Sequence, residues 1–247
     1  MKKQYSTTRL FLAALVLLLS VSTRSYAQDS DSVTFKAPDL KAIEDVVKNN
    51  RSLYDSLTEK FKNADTSTKF TLEEGYIVYY GYAFTENYSP YSDFAADAVR
   101  ALLEKGEIDN AEKTINEALE KNPVSITLYE YLYMIAQKKQ DEDTFRKTSL
   151  KLMALLDAIS MSGEGDEKES PLYVICVSDE YSFLRALGAK ELLQQSLIET
   201  PSGHCDKMDF KIDVSSEDEE ETSETTEKTI TLYFNIELAF SKLSSIF

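Results

Sequence analysis

Residues 106–123 read GEIDNAEKTINEALEKNP, and the spacing of the apolar members of this stretch decides the fold class. Ile108, Ala111, Ile115, Ala118 and Leu119 recur at intervals of three and four, the period that lines one face of an α-helix. Gly106 stands before the stripe and Pro123 after it, so both ends carry a breaker. Small residues at Ala111 and Ala118 leave room for a second helix to pack closely. Working outward, Ala95, Ala98, Val99 and Leu102 form the stripe of a preceding helix, and two more helices are predicted over 125–138 and 142–159. Towards the N-terminus, Pro38-Asp39 is a start signal for a helix carrying Leu40, Ile43, Val46 and Val47. A second helix over 52–61 carries Leu53, Tyr54, Leu57 and Phe61. Thr71 and Glu74 have the spacing of a capping box, in which hydroxyl and carboxylate each satisfy a backbone donor at a helix start. Behind them run Tyr76, Ile77, Tyr79, Tyr80, Ala83 and Phe84, with Pro90 as the stop.

Beyond residue 160 the pattern changes. Gly163, Gly165 and a cluster of acids mark a boundary near 161–170. Residues 172–178 have the length and β-branched content of a buried strand, 179–187 suit a short helix ended by Gly188, and 191–198 fit strand or helix equally. Met208, Phe210, Ile212 and Val214 alternate with polar neighbours, as do Ile230, Leu232, Phe234 and Ile236. That is the period of two half-buried strands, expected to pair as a hairpin. Residues 215–228 between them include five consecutive acids, Glu217 to Glu221, and read as a solvated loop. A last helix over 238–247 would pack Phe240, Leu243 and Phe247 on the sheet.

Residues 1–27 have a basic start (Lys2, Lys3, Arg9), an apolar run over 10–20 and the small-residue sequence Ser25-Tyr26-Ala27, the pattern of a secretory signal peptide cleaved after Ala27. The run would cross only about half of a ~30 Å hydrocarbon core. No Cys follows it to take a lipid, and no other stretch approaches a membrane span, so the processed chain is expected to be soluble. The full chain carries a formal charge of −16, which becomes −20 once Lys2, Lys3, Arg9 and Arg24 are removed with the leader. A phosphate backbone is therefore a poor partner, because nucleic-acid binding needs a basic face to release counterions.

Export would let Cys176 and Cys205, the only cysteines, form one intramolecular bridge worth ~3 kcal/mol in the chain-entropy picture. Alternatively Cys176, inside an apolar run, is a buried small hydrophobe. Tyr76, Tyr79, Tyr80, Tyr82, Tyr88 and Tyr91 lie close together in the sequence. Tyr79, Tyr80, Tyr82, Tyr88 and Tyr91 could line a groove for a sugar or peptide, whereas the helical spacing of Tyr76, Tyr80 and Phe84 favours core packing. His204-Cys205-Asp206 has the residue types of an activated nucleophile, but neighbours on a strand alternate faces. One histidine excludes a multi-histidine zinc site within one chain, and there is no phosphate loop, HExxH or nucleophile elbow. Neither a metal nor another cofactor is expected. Asp179 and Glu180 could act as an acid pair, but the sequence favours a helix start, where carboxylates face the positive end of the dipole.

Two resemblances follow. Gly106, Ile108, Ala111, Ile115, Ala118 and Pro123 fall at the spacings of the second half of a tetratricopeptide repeat. The next copy keeps Tyr129, Leu132, Tyr133 and Ala136 but has Gln140, Phe145 and Leu152 where Gly, Ala and Ala are usual. Over nearly the whole mature chain, the order of Tyr79-Tyr80-Gly81-Tyr82, Tyr88-Ser89-Pro90-Tyr91, Val177-Ser178-Asp179-Glu180-Tyr181, Cys205-Asp206 and Tyr233-Phe234-Asn235 resembles the exported bacterial family called domain of unknown function 4919. That resemblance implies a helical, repeat-like front and an α+β tail, mostly in Bacteroidota, with no assigned activity.

The expected molecule is α+β. A signal peptide (1–27) and a flexible lead-in (28–38) precede antiparallel helical hairpins of tetratricopeptide type (39–162). A small α+β module follows (163–247), with an antiparallel sheet and an acidic loop at 215–228. The expected function is non-catalytic: an exported interaction or adaptor module whose partner is another envelope protein or a peptide. The competing expectation is an envelope hydrolase working through carboxylates.

Overall fold

The structure is a computed structural model and describes residues 34–90, 94–215 and 225–244. Its first half is helical: α1 (Leu40–Asn49), α2 (Arg51–Lys62), α3 (Leu72–Gly81) with a 3-10 turn at Tyr82–Phe84, α4 (Phe94–Glu104), α5 (Ile108–Leu119), α6 (Ile126–Lys139) and α7 (Glu142–Ser160). The start signals act as their chemistry requires. Asp39 accepts from the N–H of Ala42, and Thr71 and Glu74 form the reciprocal capping box. Glu74 also receives Lys60 at 2.7 Å, which ties α2 to the start of α3. The lead-in is pinned before Pro38, because the Lys36 N–H donates to Met161 O at 2.9 Å and the Lys36 carbonyl accepts the Tyr76 hydroxyl at 2.7 Å. None of the described helices is long and apolar enough to cross a membrane.

Helix α3 is the centre of this half. Tyr76, Val78, Tyr79, Tyr80 and Gly81 are all buried, so apolar surface wraps more than one face of the helix. It needs to, because α1 and α2 pack on it and α7 packs on it as well. The closest approach is at Gly81, where an added Cβ would stand 2.7 Å from the ring edge of Tyr54 and 3.2 Å from Val47.

The second half contains β1 (Leu172–Tyr173), α8 (Val177–Ala186), β2 (Glu191–Thr200), β3 (Gly203–Ser215), β4 (Thr225–Asn235) and α9 (Glu237–Ser244). The hairpin forms as the alternation predicts, with Met208 opposite Leu232 and Phe210 opposite Ile230. Three expectations need correction. The sheet, in the order β1-β4-β3-β2, is mixed and not antiparallel, since β1 runs parallel to β4. A parallel neighbour requires a long crossover, which α8 and the β2–β3 ribbon supply. The strand expected over 172–178 is two residues long, because the acids of the Ser178-Asp179-Glu180 segment start a helix at Val177. The acidic loop is shorter than 215–228, as β4 already begins at Thr225. Residues 216–224 and 245–247, Phe247 included, lie outside the described residues.

One buried apolar cluster runs from Ile43 through α3, α6 and α7 to Phe183, Phe210 and Ile236, so both halves share a core. Polar contacts cross it too, with Arg185 of α8 paired to Glu130 of α6 at 2.6 Å.

Two substitutions in the helical half have opposite expected signs. Gly81→Ala drives a methyl into a ring that burial holds in place, and should lower stability by about 1–2 kcal/mol. Gln140, at the end of α6, is the only described residue other than glycine with a left-handed backbone (φ 59°). Gln140→Gly should relieve that strain and raise stability by up to about 1 kcal/mol. Urea midpoints at unchanged m-value check both.

Candidate functional site

Three buried carboxyl groups meet where α8 lies on the sheet. Helix α8 sets Phe183 edge-on to Phe234 of β4, with ring centroids 5.9 Å apart. Glu180 is three residues back on that same helix face and so points at the sheet. On β3, Asp206 is in phase with Met208 and Phe210 and shares their core-facing side, opposite Phe234. Asp179 is turned about 100° from Glu180 around the helix. It faces α3, where it accepts the Tyr79 hydroxyl at 2.7 Å. Relative exposure is 3% for Asp179, 0% for Glu180 and 6% for Asp206.

Their environments differ. Asp206 accepts Gln195 Nε2 at 2.6 Å, and Gln195 Oε1 in turn accepts the Tyr181 hydroxyl at 2.5 Å, which links α8, β2 and β3. No donor reaches either carboxyl oxygen of Glu180, whose hydrogen-bonding neighbour is the carboxyl of Asp206. Burial, followed by the nearby Asp206 and Asp179, pushes the Glu180 carboxyl up to about 9. It therefore holds its proton at neutral pH. Burial and Asp179 likewise push the Tyr79 phenol well above its ordinary value, so it remains a donor.

Such a cluster has the chemistry of an acid catalyst, but its access is poor. A cleft of about 280 Å3 opens beside it, lined by Tyr82, Ser89, Asn122, Ser125, Cys176 and Asp179 among others. Only Asp179 of the three carboxyl groups reaches it, and Tyr79 already holds that group. The volume sits at the low end of small-molecule sites. Among the described residues no group of His, Cys, Asp and Glu is arranged to hold a metal.

Tyr79, Tyr80, Tyr82 and Tyr88 are buried, and of these four Tyr82 also lines the cleft. Tyr79 and Tyr80 are 0% exposed, and Tyr82 and Tyr88 are 5% exposed. Each phenol has an acceptor: Tyr80 donates to Ala158 O and Tyr173 O, Tyr82 to Asn87 O, and Tyr88 to Ile175 O at 2.6 Å. Core packing thus replaces the aromatic groove expected for Tyr79, Tyr80, Tyr82 and Tyr88. Tyr91 lies outside the described residues.

Cys176 and Cys205 are free thiols in the structure and not a bridge. Cys176 stands immediately before α8, while Cys205 is buried in β3 with its sulfur 3.6 Å from Thr200 Oγ1. Burial pushes the Cys205 thiol up, away from a reactive thiolate. The strand sends the residues of the 204–206 segment to separate partners, so they assemble no triad. His204 Nδ1 lies 2.8 Å from Glu237 Oε2, and its ring stacks on Phe240 at 3.6 Å. Burial works to raise the Glu237 carboxyl, but Ser241, the His204 N–H and the His204 ring all bond to it and hold it below its ordinary range.

Sequence reasoning placed Asp179 and Glu180 correctly in the first turn of a helix but missed Asp206 as their companion. The signal was present, because Asp206 is the one acid in phase with the apolar side of its strand.

With this geometry in hand, comparison with known families gives one match. The model of a family described as Domain of unknown function (DUF4919) covers residues 41–243, and the chain belongs to that family. The match runs from α1 into α9, so the helical half and the sheet belong to one family unit. No curated protein and no solved structure matches the chain.

The Glu180 carboxyl gives a pH signature. Its folded-state value, about 9, lies above the ~4.5 of an unfolded chain, so its contribution favours folding fully below ~4.5 and is lost as pH rises towards 9. Wild type should lose stability between pH 5 and 9 with this group as a cause. Glu180→Gln, neutral throughout, should flatten the slope and be the more stable protein at pH 8. Urea denaturation across that range decides, and parallel curves for the two proteins would show that Glu180 is not proton-linked to folding.

Proposed function

We propose that this member of the DUF4919 family is an exported, non-catalytic interaction module of the bacterial cell envelope, whose partner is another envelope protein or a peptide. The leader-like residues 1–27 support export. The observation that carries the interaction role is the exposure of three leucines on one strand: Leu192, Leu193 and Leu197 of β2 are 40%, 45% and 54% exposed. In a chain with a formal charge of −16, solubility gives no reason for three exposed leucines on one strand, and exposed apolar side chains gathered on one element mark interaction sites.

The helical half serves as scaffold in this proposal, built from hairpins of tetratricopeptide type. Gly106 and Gln140 support this origin, since both are left-handed at the end of a hairpin's first helix and they stand one repeat period, 34 residues, apart. A second proposal, an envelope hydrolase, is favoured by Glu180, whose carboxyl is pushed far from its ordinary value beside Asp179 and Asp206, because perturbed acids gather at catalytic sites. Burial of Glu180 and Asp206 weighs against it, since substrate and water must reach both acid and base.

The processed protein, tagged and cross-linked in its own cell envelope and then analysed by quantitative mass spectrometry, separates the two. The interaction role predicts a specific protein enriched over a charge-matched control. Absence of any enriched protein, together with envelope-substrate turnover lost in Asp179→Asn, would reject it in favour of the hydrolase.

A further inference from the structure

Among the described residues the sheet ends at β2, which pairs with β3 alone. In an antiparallel ladder every second residue turns its N–H and C=O away from the partner, so an outer strand offers a row of unpaired backbone groups. Soluble proteins normally guard such a row with lysine, proline, a short strand or a covering element. β2 is ten residues long, contains neither Lys nor Pro, and is nowhere buried along its length. It has one irregularity, between Leu192 and Gln194, beyond which Gln194 to Thr200 keep unbroken register with β3. The opposite edge, β1, is only two residues long, and its Leu172 is buried.

Two features make this edge suited to binding. It is held rigidly, because Gln195 is clamped between Tyr181 and Asp206 at 2.5 and 2.6 Å, so little ordering cost remains for a ligand strand. It also offers side-chain contacts, because Leu197 lies opposite Asp206, on the core-facing side of the sheet, yet is 54% exposed.

We infer that the β2 edge takes up one extended segment of another protein by backbone pairing along Gln194 to Thr200, and that this segment is apolar on alternate residues with a Lys or Arg set against Glu199. The inference rests on the interaction role proposed above and specifies its surface and partner chemistry. Charge selects the occupant. Glu191 is neutralised by Lys211 at 3.2 Å, whereas Glu199 has no ion pair among the described residues. A second copy of the chain is the poorer fit. It brings another −16, and antiparallel self-pairing centred on Gln195 would set Glu191 of one copy against Glu199 of the other.

The test uses the processed full chain and a fluorescent probe peptide, acetyl-Lys-Thr-Val-Thr-Val-Thr-Lys-amide. Saturable binding is expected, with amides of residues 194–200 protected from hydrogen exchange in the complex. N-methylation of alternate peptide residues should weaken binding by at least about tenfold, since each lost backbone bond costs about 1 kcal/mol. Changing the peptide lysines to glutamates should weaken it as well, and Glu199→Lys should reverse that preference. Leu197→Lys, at an exposed position, serves as a second variant and should also reduce affinity. No saturable binding up to about 1 mM, equal binding of the N-methylated peptide, or protection outside β2 would overturn the inference. So would a concentration-dependent dimer with β2 protected in the absence of peptide, which would make a second copy the occupant. An envelope protein captured equally by wild type and Leu197→Lys would leave the interaction role standing and remove β2 from it, so the two failures are separable.

Discussion

A phenol taken out of water must find an acceptor inside the protein, and in this chain that requirement joins the two halves. Tyr79 and Tyr80 sit on α3, in the middle of the helical half, with no exposure to solvent. Their hydroxyls reach Asp179 and the carbonyls of Ala158 and Tyr173, while Tyr88 reaches the carbonyl of Ile175. Three of these acceptors lie between β1 and the first turn of α8. An unpaired buried hydroxyl would cost about 1–3 kcal/mol, so these bonds fix the path of residues 173–179 against α3. Everything downstream inherits that placement. With α8 held at its start by Tyr79 and along its length by Phe183 against Phe234, Glu180 has no direction left except into the sheet.

That no donor reaches the Glu180 carboxyl is a consequence of that geometry. A charged carboxylate without donors would be far more costly to bury than a neutral acid, and the site responds by keeping the proton. Asp206 shares the space but has Gln195 as donor, and Asp179 has Tyr79. The same residues that have the chemistry of an acid–base pair also link helix, core and outer strand. Their chain of contacts ends on β2 at Gln195, so the most exposed strand of the sheet is anchored from its least exposed corner.

How much of this was legible in the sequence depends on the range of the interaction. Capping at Thr71 and Glu74, the helical stripes through Ile108, Ala111 and Ile115, and the alternation of Met208 and Phe210 are local, and each yields the element it predicts. The apolar run from Leu172 misled, because a short apolar stretch ahead of a helix and a buried strand have the same letters. Val174 and Ile175 are buried by tertiary contact, while the ladder with β4 holds only Leu172 and Tyr173. The parallel pairing of β1 with β4 depends on a crossover that no local signal records. The tyrosine cluster was ambiguous for a related reason. Spacing reveals which rings share a helix face, but the second covered face of α3 comes from α7, some eighty residues later in the chain. Asp206 could have been found by treating a charged residue in phase with a core-facing strand as an exception that needs a partner.

The sheet's two edges express opposite solutions to one problem. On the β1 side, the strand is cut to two residues and Leu172 is packed into the shared core, so few backbone groups are left to pair. On the β2 side, the strand is long, and the lysines that could have guarded it stand instead on β3, at Lys207 and Lys211, where Asp209 and Glu191 already engage them. Solubility alone would favour the reverse arrangement, with cations on the outer strand and leucines on the inner one. A high net charge of one sign favours dispersal, and repulsion between like copies opposes the self-pairing that an open edge invites. Acidity and the unguarded strand are therefore compatible features of one surface: the charge keeps like chains apart while the backbone row remains open to a segment of opposite charge.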